Sequence, residues 1–313
     1  MADTIKKIAT RESYGNALKE LAEEFPQLVV LDADLAAATK TGIFKKAYPD
    51  RHIDCGIAEC NMVGIAAGLA SVGKIPFVSS FAMFAAGRAY EQVRNSVGYP
   101  HLNVKIGATH AGITVGEDGA THQCNEDLAL MRSIPGMVVM CPSDDVEAKA
   151  AVRAALEYEG PVYIRFGRAA VPVINDRPDY KFEIGKGTVV REGKDVTIVA
   201  TGICVDSALG AAEKLAAEGI SAEVVNICTI KPLDEEIIIN SAKKTGKVVT
   251  VEEHTVIGGL GSAVCDCLCA KLPTPVKKLG MQDVFGESGS AAALVAKYGL
   301  DAEGVYKSVK EFL

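Results

Sequence analysis

The chain has 313 residues, of which 49% are hydrophobic and 23% are charged, and its formal net charge is -7 at pH 7. This length and composition predict about two folded domains and exclude a mainly disordered chain. The acidic balance, with no basic cluster, argues against nucleic acid and anionic membranes as partners.

Short apolar runs rich in valine and isoleucine alternate with helical patterns through the first half of the chain. They predict strands at 28–32, 51–55, 75–80, 103–109, 137–141 and 161–166. Between them the patterns predict helices at 13–25, 59–72, 85–97 and 144–157. Alternation of this kind indicates a parallel sheet with helices on both faces.

The pattern lapses over residues 168–187, where prolines and mixed charges indicate a linker, and a second alternating set follows. Its strands are predicted at 196–201, 222–226, 247–252 and 276–279, and its helices at 206–217, 234–243, 260–270 and 288–297. The predicted fold is therefore α/β, with two doubly wound domains and mainly parallel sheets. The first domain takes residues 1–172, the linker 173–187 and the second domain 188–313.

Nine cysteines, together with an N-terminal segment that has no signal-peptide pattern, indicate reduced thiols and a cytoplasmic location. Cys265, Cys267 and Cys269 form one cluster. Because the cluster has neither CxxC spacing nor a nearby histidine, core thiols are favoured over a metal site. The longest apolar stretch, residues 62–72, is too short to span a bilayer.

Polar and aromatic residues gather directly after the predicted strands of the first domain. Asp34 follows strand 28–32, Glu59 follows 51–55, Phe81 follows 75–80, His110 follows 103–109, and Arg165 ends 161–166. In open α/β sheets, ligands collect outside the carboxyl ends of the strands. We therefore expect one site at this edge of the first domain, and the second domain shows no comparable set at its strand ends.

The most unusual segment is T-H-A-G-I-T-V-G-E-D-G-A-T-H-Q at residues 109–123, which contains His110, Asp118 and His122. Long glycine-rich loops with placed polar groups are commonly functional. The alternative is a surface loop whose histidines bind local backbone. A weaker pattern, G-G-L-G-S-A at 258–263, follows a strand like a dinucleotide-binding turn, but close packing of a helix on a strand explains it better.

In this order and spacing, G-I-A-E-x-N-M, S-S-F-x-x-F and G-E-D-G-x-T-H-Q resemble the pyrimidine-binding domain of transketolases. Residues 180–313 resemble the C-terminal domain of the same family. Full-length members begin with a further domain that binds magnesium and the diphosphate through a GDG motif, and this motif is missing here. The chain therefore resembles the C-terminal subunit of a split transketolase, which works with a separate N-terminal subunit.

The resemblance implies thiamine diphosphate as the cofactor, with Mg²⁺ ligands on the partner subunit and none on this chain. It implies transfer of a two-carbon ketol unit from a ketose phosphate to an aldose phosphate, in the pentose phosphate pathway. The implied assembly is α2β2 around a homodimer core. The implied catalytic residues are Glu59, His110 and His122; the cofactor-binding residues are Asp34, Glu59, Phe81 and Phe84; and the substrate-binding residues are Arg11, His110, Asp118, His122 and Arg165.

Two positions depart from the family pattern, and several alternatives stay open. Gly87 stands where many members carry an aromatic residue, and Ala38 stands where a serine helps to hold phosphate, with Thr39 as a candidate substitute. The nearest alternative is the beta subunit of a 2-oxo-acid dehydrogenase; deoxyxylulose phosphate synthase shares the domain order. A non-catalytic subunit of the same fold and a nicotinamide dehydrogenase are the remaining alternatives.

Overall fold

The computed structural model describes residues 6–313. Its strands are, in chain order, β1 Lys7–Ala9, β2 Leu28–Asp32, β3 His52–Asp54, β4 Ile75–Phe81, β5 Lys105–Thr109, β6 Val138–Met140, β7 Val162–Arg165, β8 Ala170–Pro172, β9 Thr188–Arg191, β10 Val196–Ala200, β11 Ala222–Asn226, β12 Thr229–Lys231, β13 Val248–Thr255 and β14 Val276–Met281.

Helices separate most of these strands. The α-helices are α1 Thr10–Leu21, α2 Ala36–Thr39, α3 Gly42–Ala47, α4 Glu59–Ser71, α5 Tyr90–Gln92, α6 Asp127–Arg132, α7 Asp145–Glu157, α8 Cys204–Ala217, α9 Glu235–Thr245, α10 Leu260–Lys271, α11 Ala291–Lys297 and α12 Ala302–Phe312. Short 3-10 turns lie at Pro49–Arg51 and Ile113–Val115, and π-helical segments at Met83–Arg88 and Val93–Gly98.

A two-stranded sheet pairs β1 with β8, and two larger sheets organise the rest of the chain. The larger has seven strands in the order β12-β6-β7-β5-β4-β2-β3, and every neighbouring pair except β12–β6 is parallel. The smaller has five strands in the order β14-β13-β10-β11-β9, parallel except at the β9 edge. The predicted α/β class with mainly parallel sheets is therefore confirmed.

Helices cover both faces of the larger sheet, as a parallel sheet of apolar strands requires. Tyr14 and Leu18 of α1 pack on one face together with residues of α7. Met62, Val63 and Ala66 of α4 pack on the opposite face. Because β2 and β5 are buried along their whole length, their residues contact both layers.

The two halves of the chain interlock more than the predicted division at 173–187 implies. Strand β12 lies within the predicted second domain but pairs with β6 at the edge of the larger sheet. The predicted linker is also tied to α7, because Tyr180 donates a hydrogen bond to Glu147 and the Asn175 backbone N–H donates to Asp144. The halves therefore meet over a broad contact rather than through a free linker.

The predicted single α-helix at 85–97 is wrong. The segment consists of the π-helix Met83–Arg88, the short α5 and the π-helix Val93–Gly98. Its wider turns are closed by hydrogen bonds from the Ala89 N–H to the Phe84 carbonyl, at 3.1 Å, and from the Tyr99 N–H to the Arg94 carbonyl, at 2.8 Å. Single π turns are frequent at functional sites, because they redirect side chains that a regular helix would place elsewhere.

The weaker sequence patterns of the second half have structural explanations. A side chain at Gly259 would collide with the Glu252 carboxylate, which accepts hydrogen bonds from the first backbone N–H groups of α10. The packing interpretation of residues 258–263 is therefore confirmed. The core-thiol prediction holds for Cys267, whereas Cys265 is half-buried and Cys269 is exposed, since one helix face cannot bury all three.

Candidate active site

The carboxyl ends of β2, β4 and β5 meet at one edge of the larger sheet. The strand register places Asp32 of β2 beside Ser79 of β4, and Phe81 of β4 beside Thr109 of β5. The residues that follow these strands therefore share one region. The alternation of short parallel strands and helices brings them there, as expected for an open α/β sheet.

Two phenylalanines and two histidines form a compact aromatic cluster at this edge. The rings of Phe81 and His110 stack at 3.9 Å between centroids, and Phe81 stacks with Phe84 at 6.0 Å. The ring of His122 meets Phe84 edge-on at 5.5 Å. The structure thus brings together four of the residues that the sequence indicated. His122 is held in place by a 2.9 Å contact between Nδ1 and the Thr121 hydroxyl.

His110 is buried, with 3% of its surface exposed, and its contacts define its tautomer. Its Nε2 lies 3.1 Å from an Arg11 guanidinium nitrogen, which can only donate, so Nε2 accepts. Its Nδ1 therefore carries the proton and donates to the Thr109 hydroxyl, 2.9 Å away. Burial, followed by the nearby charges of Arg11, Arg168 and Lys40, lowers the pKa of His110 from 6.5 to about 3.

We expect His110 to stay neutral from pH 8 to pH 5. Because its pKa of about 3 in the folded chain lies below the ordinary 6.5, its contribution to stability is complete above pH 6.5 and is lost as the pH falls toward 3. Its imidazole NMR signals, assigned by their absence from His110→Gln, should not shift over pH 8 to 5. A titration midpoint near 6.5 would contradict the described contacts.

Glu59 is the first residue of α4, and 2% of its surface is exposed. Its carboxylate accepts a hydrogen bond from Arg88 at 3.1 Å. Arg88 belongs to the first π-helical segment, and its guanidinium lies 4.9 Å from the centre of the Phe84 ring. The irregular segment therefore delivers Phe84 and Arg88 to the same place as Glu59.

Asp34 and Asp118 lie at the surface near this edge. Asp34 is exposed, and its backbone N–H donates to Asp54 at 3.1 Å; its φ of 60° is a conformation that few residues other than glycine adopt. Asp118 is exposed in the long loop after β5. Left-handed residues other than glycine cost free energy and cluster at functional sites, and His110, with φ 55°, is a second case here.

Arg165 is a predicted site residue whose side chain points into the protein interior, away from the cluster. Its side chain is 5% exposed, pairs with Asp127 at 2.9 Å, and donates to the Glu253 carbonyl at 2.7 Å. All of these partners lie inside the protein, so a substrate anion cannot reach Arg165 without displacing them. Arg168, three residues later, is 38% exposed and contacts the long loop through Glu117 at 3.1 Å.

The departures from the family pattern also have defined positions. The Thr39 hydroxyl is buried against Asp32, at 2.9 Å, so it does not replace the serine that Ala38 lacks. The Ala38 carbonyl instead accepts a hydrogen bond from Arg11 at 2.9 Å. A side chain added at Gly87 would meet the terminal methyl group of Met83. The Met83 side chain therefore occupies the space into which a side chain at position 87 would extend.

The second domain contributes residues that the sequence interpretation missed. Glu252, Glu253 and His254 are buried at the end of β13, contrary to the expectation that its strand ends carry no such set. Glu253 accepts a 2.6 Å hydrogen bond from the Thr114 backbone in the long loop, so this strand end anchors that loop. The signal was present as the run V-E-E-H at the end of a predicted strand.

A cavity of about 880 Å³ opens beside the aromatic cluster and is lined by both domains. Met83, Phe84 and Arg88 form one wall, and Ile257 and Phe285 of the second domain belong to another. Volumes of several hundred Å³ with mainly apolar walls are typical of small-molecule sites. Phe84 presents its ring to this space, and Arg88 links the space to Glu59.

Comparison with known proteins gives the family of the chain. The family model for the transketolase pyrimidine-binding domain matches residues 6–173, and the model for the transketolase C-terminal domain matches residues 185–305. These two matches define the class: a pyrimidine-binding α/β domain followed by its C-terminal partner domain. The chain belongs to the transketolase family.

Three of the similar proteins are named as a section or a subunit of a transketolase. A Methanocaldococcus jannaschii protein, named provisionally as a transketolase C-terminal section, is 52% identical over 96% of this chain and 95% of its own length. The 6-deoxy-6-sulfo-D-fructose transketolase subunit SqwH of a Clostridium species is 48% identical, covering 96% and 93%. One of the subunits of the apulose-4-phosphate transketolase of Phocaeicola vulgatus is 40% identical, covering 98% of each.

A solved structure agrees with these relatives. The chain matches a split gene transketolase, described as an inactive beta4 tetramer, with 56% identity, a TM-score of 0.89 and 98% coverage of both chains. Over nearly its whole length the chain therefore matches proteins that are named as a C-terminal section or as subunits of split transketolases. The resemblance stated on the three sequence motifs is confirmed.

Proposed function

We propose that this chain binds the pyrimidine ring of thiamine diphosphate and, with a separate N-terminal subunit, transfers a two-carbon ketol unit between sugar phosphates. The observation that supports this most is the link from the Glu59 carboxylate through Arg88 to the Phe84 ring, which stacks with Phe81. A carboxylate suits a ring nitrogen, and aromatic side chains suit the face of a flat ring. This proposal includes a cytoplasmic role in the interconversion of pentose phosphates.

The residues present fit the pyrimidine part of the cofactor. Glu59 is buried, and Arg88 and Phe84 connect it to a cavity large enough for a drug-sized molecule. When bound, thiamine diphosphate supplies a nucleophilic carbon and an electron sink for the cleavage of ketoses. In this proposal Glu59 hydrogen-bonds the pyrimidine ring and shares a proton with it, and Asp34 lies toward the remainder of the cofactor.

The other site residues bind and orient the sugar. The neutral His110, together with His122 and the exposed Asp118, offers hydrogen-bond donors and acceptors for sugar hydroxyls. Arg11 is half-buried, and its hydrogen bonds to the Ala38 carbonyl and to His110 both use one terminal guanidinium nitrogen, which leaves the other for an anion. Arg168 supplies the second guanidinium in place of Arg165, because its side chain reaches the surface near the long loop.

The partner is proposed as a diphosphate-binding N-terminal subunit that also carries the Mg²⁺ ligands. Within residues 6–313 no group of three His, Cys, Asp or Glu side chains could hold a metal ion. Ile57, next to the start of α4, is 77% exposed, and Phe285 at the cavity wall is 86% exposed. Ile257 and Val284 are also exposed at this cavity, so they form with Phe285 an apolar patch of the kind that partners cover, and the proposed assembly is α2β2. No helix in the described part of the chain could cross a membrane.

The test is ketol transfer from xylulose 5-phosphate to ribose 5-phosphate with thiamine diphosphate and Mg²⁺. We expect turnover when the chain is mixed with its N-terminal partner and none with either chain alone, since each holds part of the site. Turnover by this chain alone would contradict the split site. A stable complex that cleaves a 2-oxo acid instead would move the assignment to a 2-oxo-acid dehydrogenase, and an inert complex to a non-catalytic subunit.

A further inference from the structure

Lys40 is a third cation beside the proposed substrate site, and no family motif accounts for it. It directly follows the last residue of α2, two positions after Ala38, whose carbonyl accepts a hydrogen bond from Arg11. Its charge acts on His110 together with those of Arg11 and Arg168, and all three lower the pKa of that histidine. The Lys40 ammonium also lies 3.5 Å from Glu12, the residue that follows Arg11 on α1, so Lys40 and Arg11 lie at the same end of that helix.

The backbone of Lys40 indicates that the lysine is kept there at a cost. Its φ is 71° and its ψ is 6°, the left-handed conformation that helix ends usually assign to glycine or asparagine. The loop also lies tightly against α1, where a side chain added at Gly15 would come within 2.8 Å of the Lys40 Cβ. Folding alone would favour glycine at position 40, so the lysine side chain has a use that opposes this preference.

The surroundings of these cations leave them available for an anion. The Lys40 ammonium lies 3.5 Å from Glu12, whose side chain is 48% exposed. Arg168 pairs with Glu117, which is 68% exposed. Exposed ion pairs of this kind are weak, since water solvates both partners. An anion held by Arg11, Lys40 and Arg168 together gains more than either glutamate provides.

We propose that Lys40 is a specificity-determining residue that senses the charge of the substrate's terminal anion and favours a phosphate dianion over a sulfonate monoanion. The proposal rests on the proposed function. A phosphate ester carries about -1.5 to -2 charges at pH 7, whereas a sulfonate carries one. Coulombic attraction scales with charge, so loss of one cation costs the dianion about twice the free energy that it costs the monoanion. The similar proteins include one that is named for a sulfosugar and one that is named for a sugar phosphate, so the two kinds of anion are a relevant pair to compare.

The experiment compares fructose 6-phosphate with 6-deoxy-6-sulfofructose as donors for the assembled two-subunit enzyme. We expect Lys40→Met to lower kcat/KM about tenfold for the phosphate and about threefold for the sulfonate, with Lys40→Arg restoring most of both. Lys46→Met, which removes an exposed charge from the neighbouring α3, is the matched control and should change neither value. An unchanged ratio of the two values in Lys40→Met overturns the proposal.

A second variant separates the role of the charge from that of the backbone. Lys40→Gly removes the same charge and relieves the left-handed strain, so it should raise the thermal unfolding midpoint above that of Lys40→Met while losing the same discrimination. A merely structural lysine would instead show unchanged discrimination in Lys40→Gly.

A binding measurement distinguishes failure of this inference from failure of the proposed function. Inorganic phosphate should raise the thermal midpoint of the wild-type complex more than methanesulfonate does, and this difference should shrink in Lys40→Met. If the wild-type complex transfers no ketol unit but shows this shift, the proposed function fails and the anion site stands. Equal shifts in wild type and Lys40→Met overturn the role of Lys40.

Discussion

The Glu59→Ala variant of the assembled enzyme should lose ketol transfer by about 10²- to 10⁴-fold, the range expected for removal of a general acid–base group. Glu59 is 2% exposed at the start of α4, and its carboxylate connects through Arg88 and Phe84 to the cavity. Alanine leaves the helix intact but removes the proton-sharing group. The measurement is kcat under saturating thiamine diphosphate, with cofactor affinity measured separately by calorimetry.

Two further variants make this result interpretable. Glu59→Gln preserves the shape of the side chain, so it should keep much of the cofactor affinity while losing turnover. Glu235→Ala is the matched control, because Glu235 also begins a helix, α9, but lies at the surface paired with Lys271. If Glu59→Ala stays within about threefold of wild type, the glutamate is only a partner of the helix dipole and its catalytic role is wrong.

Arg165→Ala and Arg168→Ala should fail in different ways although the residues lie three positions apart. Arg165→Ala leaves the buried Asp127 carboxylate without its cation and should lower the free energy of unfolding by about 3–5 kcal/mol. Arg168→Ala removes an exposed contact with Glu117 and should change stability by about 1 kcal/mol or less. Arg168→Ala should instead raise the KM for phosphorylated substrates about tenfold or more.

Urea unfolding of the chain and steady-state kinetics of the assembled enzyme measure the two effects. Exchanging both partners for apolar residues, as in Arg165→Met with Asp127→Leu, should recover part of the stability lost in Arg165→Met alone. The opposite pattern, with a stable Arg165→Ala of high KM and an unaffected Arg168→Ala, would return the anion-binding role to Arg165.

The variants at Glu59 and those at Arg165 and Arg168 test a site in the first domain that is held in place by contacts with the second domain. The long loop after β5 carries His110 and His122, and Gln123 in the same loop donates to the Glu287 carbonyl of the second domain at 2.9 Å. Glu253 accepts a hydrogen bond from the same loop at Thr114. Because the loop is fastened on the second-domain side, its histidines hold fixed positions against Phe81 and Phe84. The second domain therefore supports the site without supplying its aromatic cluster.

The sequence predicted most elements of the fold, since their signals are local. Strand 28–32 matches β2 at both ends, and helices such as 206–217 and 260–270 lie within two residues of α8 and α10. The helix at 85–97 was wrong, because apolar periodicity does not distinguish a regular helix from one interrupted by wider π turns. The additional strand β12 was also missed, since three residues that pair across a domain boundary leave little local pattern.

By itself the sequence determined the α/β class, the order of the motifs and the proximity of Phe81 and His110, because strand alternation sends consecutive strand ends to one edge. Only the tertiary structure showed that Arg165 is buried against Asp127 while Arg168 reaches the surface, because the direction of a side chain at a strand end depends on what packs there. It also decided the contact of Glu253 with Thr114, 139 residues apart. Contacts at such separation arise from the docking of whole domains, which no local pattern encodes.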